Sequence, residues 1–284
     1  MTFRDLFGET RPLIGMVHLP ALPGSPRWGG SMDEVLATAV RDARILVDEG
    51  IDAVLIENFG DAPFFPDVVP PETIAALAVA AAVVRAEVNV PVGVNVLRND
   101  ARAALGIAAA TEAAFIRVNV HVGAMVADQG LLVGHAHDTL RARTMLQTDT
   151  LIFADVLVKH ATPLGKTDLG LYAEDAAYRG LADALLVTGA STGRAADLAD
   201  IREVKAAVGS VPVLAASGVT DASVAEILAV ADGAIVGTWL KQDGRTTAAV
   251  DPARVRALLR ARGRLRVTPV AKKAVRKVAA KKGR

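Results

Sequence analysis

Asp155 and Lys159 lie four residues apart in Phe153-Ala154-Asp155-Val156-Leu157-Val158-Lys159 and share one side of the alternation with Phe153 and Leu157. The same arrangement recurs upstream. Leu55 precedes Glu57 by two positions, Gly93 precedes Asn95, and Phe115 precedes Arg117 and Asn119. Successive side chains of a strand point to opposite faces, so these runs put Glu57, Asn95, Arg117, Asn119, Asp155 and Lys159 on one side. Apolar Ile116, Val118, Val156 and Val158 fall on the other. Asp155 and Glu57 are candidates for general acid/base work, with Arg117, Asn95 and Asn119 orienting oxygens. Lys159 has two readings: a Schiff-base amine for a carbonyl substrate, or a fixed positive charge for a phosphate or carboxylate. The ordinary alternative is a structural ion-pair layer such as Glu57–Arg117. Histidine adds a little. All five, His18, His121, His135, His137 and His160, fall in expected strand ends or loops, none in an expected helix. His18 joins the substrate-binding set. His135-x-His137 resembles half of a metal site, but no third ligand is evident, so no metal is expected.

Such side chains must be carried by strands that run the same way and end together. The chain alternates short apolar strands with helical stretches: strands at Leu13–Val17, Ala53–Glu57, Val92–Asn95, Phe115–Val118, Leu151–Val156, Ala184–Val187, Val213–Ala216 and Gly233–Val236. Helices are expected at Met32–Glu49, Glu72–Glu87, Ala101–Thr111, Thr139–Met145, Leu169–Arg179, Ala195–Ala207, Ser223–Val230 and Pro252–Arg262. Ser31, Asp100 and Asp251-Pro252 are start signals; Gly50 and Gly209 are stop signals. Strand–helix alternation implies a parallel α/β fold. Eight pairs imply a single-domain (β/α)8 TIM barrel over residues 1–266, with a doubly wound open sheet as the alternative. The stretch Asn119–Asp138 is too long for an ordinary βα connection and reads as a lid or binding loop.

The barrel gives the late strands a meaning. The loops after the seventh and eighth strands of such barrels commonly bind phosphate through backbone N–H groups. Here they read Ser217-Gly218-Val219-Thr220 and Gly237-Thr238. Gly218 and Gly237 would let backbone approach an anion without a Cβ in the way. Thr188-Gly189-Ala190-Ser191-Thr192-Gly193 after the sixth strand could complete the cradle. Arg98, after the third strand, is either an anion clamp or a solvated loop arginine.

Composition narrows the classes. Of 284 residues, 52% are apolar and 4% aromatic, which suits a core of Ala, Val, Leu and Ile around buried parallel strands. Cysteine is absent, which excludes disulfides and thiolate metal sites. No apolar run reaches a membrane span, and no secretory signal pattern opens the chain, so a cytoplasmic location is expected. Residues 267–284 carry seven Lys/Arg and no acid; the body holds 25 basic against 31 acidic residues. This tail reads as disordered or loosely helical, able to touch polyanions weakly and without specificity.

Several segments together resemble the BtpA/SgcQ family. They are Ile14-Gly-Met-Val-His18-Leu-Pro20 with Leu22-Pro-Gly-Ser-Pro26, Glu57-Asn-Phe-Gly-Asp61, Asn95-Val-Leu-Arg-Asn-Asp100 and Arg117-Val-Asn-Val120. Gly123-Ala-Met-Val-Ala-Asp-Gln-Gly130, Asp155-Val-Leu-Val-Lys-His-Ala161 and Ser217-Gly-Val-Thr220 continue the series. The resemblance covers roughly residues 11–242 and implies a TIM barrel related to phosphate-binding barrels. It also implies two directions for function: photosystem I biogenesis for the founding member, and phosphoribosylanthranilate isomerase-like or sugar-metabolism labels for bacterial relatives.

Two functions therefore stay open. One is a lyase or isomerase acting on a phosphorylated sugar or nucleotide-like metabolite, without cofactor. The other is a non-catalytic assembly factor for a membrane complex. Monomer and homo-oligomer are both compatible with the sequence.

Overall fold

The computed structural model describes residues 1–165, 168–189 and 197–263. The turn expected over 190–193, the start of the helix expected at Ala195 and the basic tail lie outside them.

The described residues hold eleven strands: β1 Leu13–His18, β2 Ala53–Glu57, β3 Val92–Asn95, β4 Phe115–Val118, β5 Ala124–Ala127, β6 Gly130–Val133, β7 Leu151–Val156, β8 Ala161–Pro163, β9 Ala184–Val187, β10 Val213–Ala215 and β11 Gly233–Val236. The helices are α1 Phe3–Phe7, α2 Met32–Asp48, α3 Pro71–Glu87, α4 Ala101–Thr111, α5 Ala136–Met145, α6 Leu169–Glu174, α7 Leu198–Val208, α8 Val224–Val230 and α9 Pro252–Arg262. Eight strands close into a parallel barrel in the order β1-β11-β10-β9-β7-β4-β3-β2. This is the TIM barrel, with helices between the strands.

Alternation divides the barrel strands into two apolar layers. Val54, Ile56, Val94, Ile116, Ile152, Ala154, Val187 and Val236 pack outward in the cluster shared with the helices. Ile14, Met16, Leu55, Phe115, Phe153, Leu186, Leu214 and Ile235 fill the interior. Phe115 stacks on Phe153 with ring centroids 4.7 Å apart. Gly93 makes room for that stack: a Cβ there would lie 2.2 Å from the Phe115 ring. Gly93→Ala should therefore cost about 1–3 kcal/mol by overpacking. An unchanged denaturation midpoint would show that the ring can move aside.

Several features depart from expectation. The short helix α1, started by a Thr2/Asp5 capping box, puts Phe3 and Phe7 into the interior cluster beside Phe153 and closes the amino end of the barrel. The stretch after β4 is not a plain loop. β5 pairs antiparallel with β6 and with β8, forming a three-stranded sheet beside the barrel mouth. Met125 and Leu132 face in and pack on Val120 and Val158. Val158, expected to face the helices, thus supports this sheet instead. Leu157 at φ 51° breaks the strand alternation after β7. The expected helix Leu169–Arg179 is α6 followed by a π-turn over Asp175–Arg179.

One long-range ion pair ties the end of the barrel to its start. Lys241 Nζ donates to Asp42 Oδ2 at 2.8 Å, both side chains buried, and Asp42 also accepts from Val250 N–H. This pins the segment after β11, which borders the mouth, to α2.

Candidate active site at the carboxyl ends of the strands

A cavity of about 820 Å³ opens at the carboxyl ends of the strands. Of the expected site residues, His18, Glu57, Arg98, Arg117, Asn119, Lys159, Ser217, Gly218, Gly237 and Thr238 border it. Asp155, Asn95, Thr188 and Gly189 do not.

The layer below the cavity explains this division. Asp155 is almost fully enclosed and receives Arg117 Nε and Nη2 at 3.2 and 3.1 Å and Asn119 Nδ2 at 2.5 Å. Asn95 donates to Glu57 Oε2 at 2.6 Å. In place of the Glu57–Arg117 pair of the structural alternative, two pairs form between neighbouring strands, β2 with β3 and β4 with β7. Asp155, the leading acid/base candidate of the sequence, holds Arg117 and Asn119 in place from beneath. Burial depresses the Arg117 pKa, but the Asp155 and Glu57 charges outweigh it and the net shift is upward. Thr188 Oγ1 accepts the Lys159 N–H at 3.0 Å and so holds that backbone in place.

The motif after β3 divides its work residue by residue. Arg98 is buried, not solvated, and its Nη2 donates to the Lys159 carbonyl at 2.8 Å. Asn99 pins the hairpin root through Val120 N–H, Val120 C=O and Val133 C=O. Asp100 caps α4 at Ala103 N–H and accepts from Val69 N–H. Across β2, Asn58 donates to Asp61 and accepts from Leu97 N–H, and Asp61 accepts from Leu22 N–H at 2.7 Å. Gly60 lies so close to the Pro20–Ala21 backbone that a Cβ would meet it at 2.3 Å. These contacts join the three motif segments into one wall.

Lys159 is the chemically distinctive group. Its amine makes no ion pair or hydrogen bond among the described residues, and burial, with the Arg117 charge adding to it, lowers its pKa to about 8. Roughly a tenth of the amine is then neutral at pH 7. Acylation of Lys159 by an amine reagent should rise with pH about a midpoint near 8, read by mass spectrometry of the labelled peptide. A midpoint above 10 would contradict the buried setting.

His18 is held neutral, its pKa lowered to about 3 by burial and by the charges of Lys241 and Lys159. Its Nε2 lies 3.8 Å from Glu57 Oε1, beyond hydrogen-bond reach, and its ring rests on Phe59. A Cβ at Gly237 would meet His18 Cε1 at 3.2 Å. Ser217 Oγ and Asn119 Oδ1 are buried with no partner among the described residues. The N–H groups of Gly218, at φ 63°, and Val219 likewise lack an acceptor among them.

Several lining residues were not anticipated. Asp128 and Gln129 reach the cavity from the β5–β6 turn. Arg254, on α9, borders it with its guanidinium 4.4 Å from the Trp239 ring centroid and bonded to Trp239 C=O. A lone arginine among the surface arginines of α9 carries no local signal. The histidines part company. His160 borders the cavity. His121 is buried against Gly180 C=O at 2.8 Å. His137 sits in the first turn of α5, against the expectation that no histidine lies in a helix. His135, His137 and Asp138 bring ligand atoms within 4.8 Å of one another outside the cavity, so the third group not evident in the sequence is Asp138.

A model of the BtpA family matches residues 9–264. The chain belongs to the BtpA family. Its relatives include an uncharacterized protein of Thermococcus kodakarensis, 45% identical, with 92% of this chain and 99% of the relative covered. The photosystem I biogenesis protein BtpA of Synechocystis sp. is 43% identical, with 92% and 91% covered. Among solved structures, phosphoribosyl anthranilate isomerase from Thermus thermophilus is similar at a TM-score of 0.54 and 13% identity, covering 90% of this chain and 100% of that one. That likeness establishes the barrel. Among the described residues no helix is long and apolar enough to cross a membrane.

Proposed function

We propose that this BtpA-family barrel binds a phosphorylated small metabolite, a phosphosugar or nucleotide-like compound, and acts on it as a lyase or isomerase by acid/base chemistry. The observation that carries this is the convergence on one cavity of polar groups with no partner among the described residues: the buried Ser217 Oγ and Asn119 Oδ1, the Gly218 and Val219 N–H groups and the half-buried Lys159 amine. Buried polar groups are ordinarily paired, so a ligand is the natural partner. The phosphate rests on Ser217-Gly218 and Gly237-Thr238, with Arg254 on the same side. Lys159 shuttles the proton, since a pKa near working pH favours acid/base exchange. Glu57 is the second acid/base group. Asn119, Arg117 and His18 orient oxygens, and Asp155 and Asn95 act through Arg117, Asn119 and Glu57. The hairpin tip at Asp128-Gln129 closes over the ligand and excludes water.

The test is a thermal-shift panel of phosphosugars, each paired with its dephosphorylated form, because a ligand that binds only the native state raises its melting temperature. A panel in which phosphate makes no difference would remove the reading. Borohydride trapping with the carbonyl-bearing hits then separates proton transfer from imine chemistry: reductive labelling of Lys159 would replace the shuttle by a covalent role.

A second reading has its own support. The 43% identity to a photosystem I biogenesis protein accompanies an exposed apolar face on the hairpin, formed by Val126, Leu131 and Val133. Such patches mark protein contacts. Val126→Lys with Leu131→Lys should leave phosphosugar binding intact. If it abolished a cellular assembly function while cavity variants did not, the assembly reading would prevail.

A further inference from the structure

The cavity has positive charge at two facing ends. One end is the cup after β10 and β11. In the closed order of strands, β3 lies four places from β10, and β4 four places from β11, so the loops after β3 and β4 face the cup across the mouth. Arg98 follows β3 and so faces the cup; Lys159 follows β7, two places from β10, and adjoins Arg98 from the side. The Arg98 side chain is tied to the Lys159 backbone, Nη2 donating to Lys159 C=O at 2.8 Å, while the Arg98 N–H donates to Phe65 C=O at 3.0 Å. Neither side chain has a carboxylate within ion-pair distance among the described residues, whereas Arg117 just below is matched by Asp155.

The charges that face this end are few. Glu57 borders the cavity and is bonded to Asn95; Asp128 sits on the exposed hairpin tip; His160 lies beside Lys159. A buried charge without a partner is costly; Arg98 is buried and Lys159 beside it half-buried, with their nearest carboxylates spoken for or at the rim. A volume of about 820 Å³ suits a ligand that reaches both ends.

We propose that the ligand is doubly anionic: a phosphate ester seated on the Ser217-Gly218 cup that carries a second anionic group at its far end, held by Arg98 and Lys159. This rests on the phosphate-cup reading and narrows it to phosphorylated acids and bisphosphates. Arg98 supplies planar paired donors for that group, and Lys159 a compact charge beside them.

Calorimetric titration of matched probes tests it. Sorbitol 6-phosphate carries one anion, 6-phosphogluconate adds a carboxylate, and mannitol 1,6-bisphosphate adds a second phosphate; glycerol 3-phosphate and 3-phosphoglycerate form a shorter pair. At least one doubly anionic probe should bind the wild-type chain ten or more times tighter than its singly anionic partner. Which one does so distinguishes carboxylate from phosphate. Arg98→Gln should erase that advantage while keeping the affinity for the singly anionic probe, which also shows that the variant is folded. Equal affinities in the wild type, or a loss in Arg98→Gln shared by both kinds of probe, would overturn the second subsite and leave the cup standing. If no phosphate-bearing probe bound at all, the cup reading would fall and this proposal with it.

Discussion

Asp155→Asn should destabilise the fold by about 3–5 kcal/mol, because it leaves a buried arginine without its counter-charge. Arg117 and Asp155 are both almost fully enclosed, and the carboxylate accepts two arginine bonds and one from Asn119. Asparagine keeps the shape and removes the charge. The effect is read as a lowered midpoint in urea. The paired replacement Arg117→Met with Asp155→Leu removes both charges and should recover much of the loss, since an apolar pair of similar volume is often neutral against a buried ion pair. A single variant as stable as the wild type would show that Arg117 finds another partner or water.

Gly218→Val should lower affinity for phosphosugars by about a hundredfold, or roughly 2.7 kcal/mol, and leave the barrel folded. Gly218 has φ 63°, a region that β-branched residues enter only with strain. The turn must therefore change course, and its free N–H groups and the Ser217 hydroxyl lose their common aim. Strain at one turn residue costs on the order of 1–3 kcal/mol, within reach of a large barrel core. Undiminished binding in the variant would place the phosphate elsewhere.

The barrel strands were legible because each is a short apolar run closed by turn residues, and because parity separates residues such as Ile116 and Val118 from Arg117 and Asn119. Their order in sequence is also their order around the barrel. That order held a further clue: polar side chains on adjacent strands pair most readily, which joins Arg117 to Asp155 and Glu57 to Asn95. The hairpin was hidden because β5 and β6 are four residues each and rich in small residues. Its signal was the alternation of Met125 and Leu132 inward against Val126 and Leu131 outward, turned by Asp128-Gln129 into Gly130 at φ 102°. The Lys241–Asp42 pair spans 199 positions, and Arg254 enters from the last helix, so only the closed barrel brings them to the mouth.

If an anion belongs on the two late turns, a crystal structure determined in inorganic phosphate should show a phosphate against the Ser217 hydroxyl and the Gly218 and Val219 N–H groups, beside Gly237 and Thr238. A cup holding only water at saturating phosphate, or phosphate bound at another face, would contradict it.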